Sequence, residues 1–528
     1  MGCAKDLEEG RAFLGVEFGS TRIKAVLVDE NFELVASGAH DWQNRLENGV
    51  WTYSLDDVWK GLQESYKELS DQAYENFGVR LRKVAAIGIS GMMHGYLAFG
   101  KDEKLLTPFR TWRNTTTGEA AEALSAAMDF NMPQRWSAAH LYQAILNKEE
   151  HVGQIEFLST LAGYVFWKLT GVKAVGVGEA SGMFPVDGEA MGYCGKRLGI
   201  FQEMAKEQGS SLDLLSVLPK VLPAGEKAGF LTEEGAKLLD PSGNLEPGAL
   251  LCPPEGDAGT GMVATNCVAQ RTCNVSAGTS VFAMAVLEKS LSKPYPEIDI
   301  VATPTGKPVA MVHCNNCASD LDAWVNLFAE QNKLFGLNVP KQEMYEKLWR
   351  ESLKGDPAAG GLVSYNFFSG EPVVGLDKGF PLFARTPGAD FSLPNFMRSL
   401  LFSSMASLKL GMDILSGEGV KLDRLLGHGG IFKTKGVASS LMAGALNVPV
   451  AVMENAGEGG AWGIALLAAY AALKKDDMTL EEFLNSQVFK NSKVSVSDPE
   501  PQVSQGFAKY MESFEKGLGM ERAGEFLG

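Results

Sequence analysis

One order of predicted elements occurs twice in this chain of 528 residues, and it constrains the fold more than any other feature. The order is a strand, a turn of small residues, two further strands and an amphipathic helix. In the first copy these segments are 13–18, 19–21, 23–28, 32–37 and a helix that Ser54 begins as N-cap; in the second they are 273–276, 277–280, 281–287, 308–313 and a helical stripe from Leu321. Each copy predicts a sheet that presents a tight hairpin turn.

The length of the chain predicts more than one folding unit, because single hydrophobic cores stop growing at roughly 250–300 residues. We expect an N-terminal lobe over 11–268 and a C-terminal lobe over 269–528, with the connection near 262–271. The further predicted elements are a buried parallel strand at 84–89, short strands at 424–426 and 448–452, and helices at 437–446, 461–473, 480–483 and 507–514.

The charge and cysteine content exclude several classes of protein. The 48 Lys and Arg residues against 64 Asp and Glu give a net charge of −16, which argues against nucleic acid or an anionic membrane surface as a partner. The sequence shows neither a secretory signal nor an apolar run of the ~18–20 residues that a membrane helix needs. Seven cysteines without framework spacing indicate a reducing cytoplasm, and the lone Cys314/Cys317 pair has no second ligand pair for zinc.

The two hairpin turns are candidate phosphate sites, because small residues leave backbone N–H groups accessible to an anion. The predicted phosphate-binding residues are Gly19, Ser20, Thr21, Gly278, Thr279 and Ser280. Lys24, on the returning strand, points either toward the phosphates or into solvent. Either hairpin alone is a common connection, but two in matching contexts predict a clamp that holds a polyphosphate across a cleft.

Glycine-rich breaks near the end of the chain are candidate nucleoside contacts. Gly429 and Gly430 follow one predicted strand, and Gly457 and Glu458 lie in a loop before the helix at 461–473. Glycine lets backbone approach a flat base or a ribose closely, although tight packing of helix on sheet is an equally good explanation.

Several short motifs, in this order along the chain, together resemble the FGGY carbohydrate kinases, the group that includes xylulokinase, ribulokinase and glycerol kinase. The matching segments are 15–24, 91–95, 111–114, 179–182, 256–258, 275–280, 368–371, 427–430 and 457–460, within about 13–470. The resemblance implies an α/β fold with two ribonuclease-H-like lobes of the actin-like ATPase type around a central cleft. It also implies that ATP and Mg²⁺ serve as cofactors.

The resemblance assigns roles in catalysis and metal binding to two acidic residues. Asp257, in a run of small residues, is the expected general base and a ligand of Mg²⁺; without the resemblance it would be read as a residue capping a helix. Glu17 stands where relatives usually carry Asp, so it is expected to hold Mg²⁺ directly or through water.

The resemblance implies a sugar site formed by residues of two motifs, at 91–95 and 111–114. Its expected residues are Met93, His94, Trp112 and Asn114. Trp112 could stack on the apolar face of a sugar while His94 and Asn114 bond its hydroxyls, and a structural role for His94 is the alternative.

The function expected is ATP-dependent phosphorylation of a terminal hydroxyl of a ketopentose such as xylulose or ribulose. Kinases of glycerol, gluconate or a deoxysugar, an actin-like ATPase and a nucleotide-sensing protein without turnover remain alternatives, because fold alone does not fix function. The expected partners are a small sugar and ATP, with a homodimer compatible with the sequence.

Overall fold

The computed structural model describes residues 2–453 and 459–524, apart from the side chains of residues 2 and 3. The chain forms two compact units. The first consists of Met1–Ala269, Ile300–Val309 and Ala456–Asn491, and the second of Gln270–Asp299, Ala310–Asn455 and Ser492–Gly528. The units therefore differ from the contiguous division at residues 268/269 that the sequence predicts, since two later segments belong to the first unit.

The elements before residue 270 include both strands and helices. The strands are β1 Phe13–Phe18, β2 Arg22–Val28, β3 Leu34–Asp41, β4 Arg45–Glu47, β5 Val50–Thr52, β6 Ala86–Gly91, β7 Leu97–Phe99, β8 Phe157–Ser159, β9 Ala174–Gly176, β10 Val186–Asp187, β11 Gly192–Tyr193, β12 Lys220–Leu222, β13 Gly229–Phe230, β14 Leu250–Leu251 and β15 Glu255–Gly256. The helices are α1 Gly2–Glu8, α2 Leu55–Phe77, α3 Gly118–Met128, α4 Ser137–Leu146, α5 Leu161–Thr170, α6 Val177–Ala180, α7 Gly195–Glu207, α8 Leu214–Val217, α9 Glu233–Leu239 and α10 Asp257–Ala264.

The elements after residue 270 complete both units. The strands are β16 Thr272–Ala277, β17 Val281–Val286, β18 Ile298–Ala302, β19 Pro308–Cys314, β20 Leu362–Tyr365, β21 Leu382–Arg385, β22 Arg424–His428, β23 Val450–Met453 and β24 Val494–Ser497. The helices are α11 Ser319–Leu334, α12 Lys341–Ser352, α13 Leu393–Gly417, α14 Val437–Leu446, α15 Gly459–Leu473, α16 Leu480–Phe483 and α17 Pro501–Gly524.

The main sheet of the first unit has the strand order β13-β14-β6-β1-β2-β3, with β15 also paired to β6. Strands β1, β2 and β3 form the antiparallel meander that the sequence predicts. Ser54 caps α2 by accepting a hydrogen bond from the N–H of Asp57, as predicted. The helix buries Val58 and Leu62 among the residues of its apolar stripe, so the core lies between α2 and the sheet.

Helix α15 belongs to the first unit because glycines let it approach the sheet closely. Gly15 and Gly88 are paired on neighbouring strands β1 and β6. A Cβ built on Gly15 would lie 2.1 Å from the carbonyl oxygen of Ala461, and one on Gly88 would lie 2.4 Å from that of Ile464. Any larger residue would therefore push α15 off β1 and β6.

The sheet that contains β16 and β17 has the order β18-β19-β17-β16-β22-β23-β24. Strands β16 and β17 form the second predicted hairpin, and α11 begins shortly after β19. The repeated plan is therefore present in both units. Strand β18 is an addition that the sequence analysis did not predict, and it extends the sheet beyond β19 at one edge.

Two local differences from the predicted elements have simple causes. Strand β3 starts at Leu34 rather than at residue 32, because Phe32 has a left-handed φ of 64° and its N–H donates to Asp29 within a turn. The predicted connection at 262–271 begins inside a helix, since α10 runs to Ala264.

The hydropathy of the helices and the state of the cysteines can be compared with the sequence analysis. Within residues 2–453 and 459–524, no helix has both the length and the hydropathy needed to cross a bilayer. Cys314 and Cys317 are buried free thiols, so this pair does not form a disulfide.

Candidate active site

Three parallel strands of the first unit end side by side and bring the predicted catalytic residues to one edge of the sheet. The register pairs Phe18 at the end of β1 with Gly91 at the end of β6, and Gly91 with Gly256 at the end of β15. The N–H of Met92 donates to the carbonyl of Phe18 at 3.0 Å. Ligands of open α/β sheets bind outside the carboxyl ends of parallel strands, so this edge is where a site is expected.

Asp257 is the first residue of α10 and lies at this edge. Its Oδ1 accepts hydrogen bonds from the N–H groups of Met93 at 3.1 Å and Ala258 at 2.9 Å. Burial raises the pKa of Asp257, while these backbone hydrogen bonds oppose the rise. Part of Asp257 remains exposed at the sheet edge, and its carboxylate is held by two N–H donors at the positive end of α10.

Glu17 lies at the same edge, on β1. Its Oε2 accepts a hydrogen bond from the N–H of Ala461 in the first turn of α15, at 3.2 Å. Burial, and then the charge of Asp257, raise the pKa of Glu17 to about 7. Lys24 stands directly opposite Glu17 in the β1–β2 register, and its charge opposes the rise. The structure therefore brings Glu17, Lys24 and Asp257 together.

Two further buried carboxyls adjoin Asp257, and the sequence analysis assigned neither a role. Glu255 accepts hydrogen bonds from the N–H groups of Gly178 and Glu179, and burial raises its pKa to about 8. Glu179 is fully buried, and burial raises its pKa well above the usual range. The only available signal was the motif at 179–182, which resembles the family without indicating a contact.

Met93 and His94 follow β6 and pack beside these carboxyls. A Cβ built on Gly256 would lie 3.0 Å from Met93 Cγ and 2.6 Å from an oxygen of Glu179. The ring of His94 bonds through Nδ1 to the carbonyl of Gly182 at 3.1 Å and stacks on Trp136. His94 also has a left-handed φ of 73°, so the ring is set by its backbone as well as by its contacts.

Trp112 and Asn114 lie on the loop that follows Arg110. Trp112 is 38% exposed. Asn114 is buried, its Oδ1 accepts from the N–H of Trp51 at 2.9 Å, and its Nδ2 donates to the carbonyls of Trp51 and Thr111. The amide of Asn114 therefore holds the backbone of this loop.

The first hairpin, Gly19 to Thr21, has its carbonyl oxygens engaged from the protein interior. Trp42 Nε1 donates to the carbonyl of Gly19 at 2.7 Å, and its backbone N–H donates to that of Thr21 at 3.1 Å. The hydroxyl of Tyr53 donates to the carbonyl of Ser20 at 2.6 Å. Carbonyl oxygens repel phosphate, so tying them back leaves a turn whose exposed residues, Ser20 and Thr21, offer donors.

The second hairpin, Gly278 to Ser280, is built in the same way within the second unit. The N–H of Ala318 donates to the carbonyl of Gly278 at 3.0 Å, and that of Cys317 donates to the carbonyl of Thr279 at 2.9 Å. In both hairpins, therefore, the carbonyl oxygens accept hydrogen bonds from residues that lie outside the hairpin.

A cavity of about 290 Å³ adjoins the second hairpin within the second unit. It is lined by Gly278, Thr279, Ala318, Ser319, Leu321, Asp322, Gln342, Tyr345, Trp349, Gly430, Ile431, Lys433 and Thr434. The start of α11 and one face of α12 form its walls. The Tyr345 hydroxyl donates to Asp322, and the Tyr345 and Trp349 rings meet edge to face at 5.1 Å. The sequence analysis missed this aromatic face, although its i, i+4 spacing on a helix was a readable signal.

The structure describes two of the four residues that are predicted to contact the nucleoside, Gly429 and Gly430. Gly430 lines the cavity. Gly429 has a φ of 105°, and a Cβ there would lie 2.2 Å from the carbonyl oxygen of Ala277, so only glycine fits between β22 and the second hairpin. Gly457 and Glu458 lie outside the described residues.

The two carboxylates at the sheet edge, Glu17 and Asp257, are the candidate ligands for Mg²⁺. Glu17 and Asp257 are hard oxygen donors that raise each other's affinity for a positive charge, and the charge of Asp257 raises the pKa of Glu17. This donor set fits Mg²⁺, which takes one or two carboxylates together with substrate phosphates and water. In the described part of the chain, no group of three or more His, Cys, Asp or Glu side chains could hold a metal ion.

The fold and these features define a class, that of phosphotransferases with two ribonuclease-H-like lobes. Comparison with known proteins specifies it. Two models of the FGGY family of carbohydrate kinases match the chain. The model of the N-terminal domain matches residues 12–241, and the model of the C-terminal domain matches residues 273–472. The chain belongs to the FGGY family of carbohydrate kinases. It is therefore a sugar phosphotransferase that uses ATP, and the predicted fold class and enzyme class are confirmed.

Individual relatives are distant in sequence. The chain is 22% identical to xylulose kinase of Haemophilus influenzae over 431 residues, covering 79% of this chain and 83% of the relative. The crystal structure of xylulose kinase from Rhodospirillum rubrum aligns with a TM-score of 0.77 at 18% identity, covering 97% of this chain and 99% of that one. Gluconate kinase from Lactobacillus acidophilus aligns with a TM-score of 0.75 at 19% identity, covering 97% and 98%. At such identities the structural likeness shows the fold.

Proposed function

We propose that this protein phosphorylates a terminal hydroxyl of a ketopentose, with xylulose and ribulose as the first candidates. The similarity to xylulose kinase of Haemophilus influenzae supports this substrate class. The observation on which the proposal rests is the Asp257 carboxylate at the carboxyl edge of the sheet, bonded to the N–H of Met93 in the predicted sugar segment.

Asp257 is the proposed general base. Phosphoryl transfer requires an aligned alcohol, neutralised phosphate charge and an acceptor for the proton of the alcohol. The two N–H donors orient the carboxylate, and burial raises its pKa and hence its basicity. The carboxylate would accept the proton from the terminal hydroxyl as the hydroxyl oxygen bonds to the γ-phosphorus. The bond from the γ-phosphorus to the β,γ-bridging oxygen would break, and ADP would leave with that oxygen.

The sugar would contact Met93, His94 and Trp112. The partial exposure of Trp112 suits stacking on an apolar sugar face, and the His94 ring is oriented by Gly182 and Trp136. The hydrogen bonds of Asn114 to Trp51 and Thr111 support a different role from the predicted one: it would hold the loop that carries Trp112.

Each hairpin would donate hydrogen bonds to phosphate oxygens of ATP, from Ser20 and Thr21 in the first and from Thr279 and Ser280 in the second. Gly19, Lys24 and Gly278 would support these contacts. The base and ribose would occupy the cavity beside Gly429 and Gly430, against Tyr345 and Trp349, and a contribution from Gly457 and Glu458 stays a prediction.

Mg²⁺ would be held by Glu17 and Asp257 at the edge of the first sheet. The ion would neutralise charge on the phosphate oxygens when bound. Glu17 receives a hydrogen bond from α15, which orients its carboxylate for that purpose. The free thiols of Cys194, Cys252, Cys314 and Cys317 support the further proposal that the protein works in a reducing cytoplasm.

The test is a coupled assay of ADP formation with purified protein, ATP and Mg²⁺. The panel comprises D-xylulose, L-ribulose, D-ribulose, a hexulose, glycerol, gluconate and a deoxysugar. We expect kcat/KM for one ketopentose to exceed that for every other compound at least tenfold. Preference for glycerol or gluconate would replace the substrate proposal, and ATP hydrolysis that no sugar stimulates would refute kinase turnover with this panel.

A further inference from the structure

The segment Ser369-Gly370-Glu371 has a role that its sequence did not reveal. Glu371 is fully buried, and its carboxylate faces the loop that connects β19 to α11. Oε1 accepts from the N–H of Asn315 at 3.2 Å, and Oε2 accepts from the N–H and the Nδ2 of Asn316 at 3.2 and 3.1 Å. One carboxylate thus takes three hydrogen bonds from two consecutive residues.

Asn316 closes this network from the other side. Its Oδ1 accepts from the backbone N–H groups of Phe368 at 2.9 Å and Ser369 at 3.1 Å. The loop at 315–316 and the segment at 368–371 therefore hold each other through both ends of one amide. Neither segment can shift without leaving buried polar groups unsatisfied, which costs about 1–3 kcal/mol for each group.

The same loop continues directly into the residues that hold the second hairpin. Cys317 donates to the carbonyl of Thr279 at 2.9 Å, and Ala318 donates to the carbonyl of Gly278 at 3.0 Å. A continuous set of hydrogen bonds therefore runs from the Glu371 carboxylate, through residues 315–318, to the carbonyl side of the hairpin. All these groups lie in the second unit.

We infer that Glu371 is a positioning residue for the second phosphate hairpin. By fixing residues 315–318, it keeps the Gly278 and Thr279 carbonyls turned away from the phosphate and the donors of the turn available to it. Glu371 is fully buried and does not line the cavity, so it would act through residues 315–318. The inference rests on the proposed function, because it requires the hairpin to bind the phosphates of ATP.

The experiment compares binding of ATP and AMP to the full-length Glu371→Gln variant and to the wild-type protein. A glutamine places an NH₂ group where one carboxylate oxygen now accepts, so it faces other N–H donors. We expect ATP to bind about tenfold more weakly, in line with one lost charge-assisted hydrogen bond, and AMP to bind within twofold of wild type. KM for the sugar should stay unchanged.

The matched control is Glu521→Gln. Glu521 is another buried carboxyl of the second unit, which accepts from the N–H of Phe380 and does not line the cavity. This variant should bind ATP and AMP as the wild-type protein does. A second test variant, Asn316→Ser, removes the same contact from the opposite side and should reproduce the selective loss of ATP affinity, even if Glu371→Gln folds poorly.

Three results would overturn the inference. They are unchanged ATP affinity in the test variants, an equal loss of ATP and AMP affinity, and the same selective loss in Glu521→Gln. Wild-type protein that binds AMP as tightly as ATP would overturn both this inference and the phosphate role of the hairpins. Failure of the sugar panel alone, with ATP still bound more tightly than AMP, would affect only the proposed substrate.

Discussion

Asp257 follows β15 directly, and its side chain contacts backbone from a distant part of the chain. Its carboxylate meets the N–H of Met93, 164 residues earlier, and that of its own helix. The Asp257→Asn variant keeps the shape of the side chain and removes the base. We expect kcat to fall by about 10²–10⁴-fold, the usual contribution of general base catalysis, with sugar affinity within twofold of wild type, as measured by steady-state kinetics and direct sugar binding.

Asp240→Asn is the control for this substitution. Asp240 is a buried carboxylate of the first unit, and it accepts hydrogen bonds from Ser242 and Leu245 in a loop after α9. Asp240→Asn should lower the free energy of unfolding and leave kcat near that of the wild-type protein. Near-normal turnover in Asp257→Asn would contradict the assignment of the base.

The sequence predicts site roles for Asp257 and Glu17, because each lies in a local motif. It could not predict the bonds of Asn114 to Trp51, or the burial of Glu179 beside Asp257, because those depend on contacts between segments 63 and about 78 residues apart along the chain. A residue type in a motif indicates chemistry, whereas its hydrogen-bond partners are set by the tertiary fold.

At the scale of elements, both hairpins depend on partners outside their own strands. In the first hairpin, the Tyr53 hydroxyl donates to the carbonyl of Ser20. Tyr53→Phe removes this donor and leaves a carbonyl that can turn toward the phosphate. A lost hydrogen bond of this kind is worth about 0.5–1.5 kcal/mol, so KM for ATP should rise about two- to tenfold with KM for the sugar unchanged, measured at saturating concentrations of the other substrate.

Tyr66→Phe provides the matched control for the hairpin. Tyr66 is a buried tyrosine of α2 whose hydroxyl has no hydrogen-bond partner in the described part of the protein. Its removal should leave both KM values unchanged. A rise in both KM values in Tyr53→Phe would contradict a role confined to the phosphate hairpin.

Elements with local signals were predictable and elements that depend on pairing were not. The helix at 437–446 and the first strand have the predicted bounds, since periodicity and flanking residues mark them. Strand β18 has no distinct local signal and forms by pairing with β19 at the sheet edge. The wall formed by α12 likewise depends on where the helix packs.

At the scale of the whole molecule, the division into units follows packing rather than chain order. Residues 300–309 join the first unit, where the N–H of Ala302 donates to the Ser181 hydroxyl and that of Ala224 to the carbonyl of Pro304. Helix α15 joins it through Gly15 and Gly88. A contiguous division was the natural prediction, because a sequence shows glycines without showing which helix they admit.

The stability of the molecule should depend on pH through its buried carboxyls. Burial raises the pKa of Glu371 to about 7 and that of Asp320 to about 6, and it also raises the pKa of Glu521. The native state then holds protons that the unfolded chain has released, so the free energy of unfolding falls as pH rises toward and through the folded pKa values. Buried His140, whose pKa burial lowers to about 3, contributes the opposite slope, which ends near pH 6.5.

We therefore expect the Tm of the ligand-free protein to fall between pH 6.5 and 8.5, measured by scanning calorimetry at constant ionic strength. Glu371→Gln cannot ionise at this position, so its Tm should fall less steeply over the same range. Glu418→Gln is the control: hydrogen bonds from Ser292 and Tyr295 lower the pKa of Glu418 to about 2, so its substitution should shift Tm equally at every pH in this window. A Tm that rises with pH, or equal slopes in Glu371→Gln and wild type, would show that Glu371 is not the titrating group.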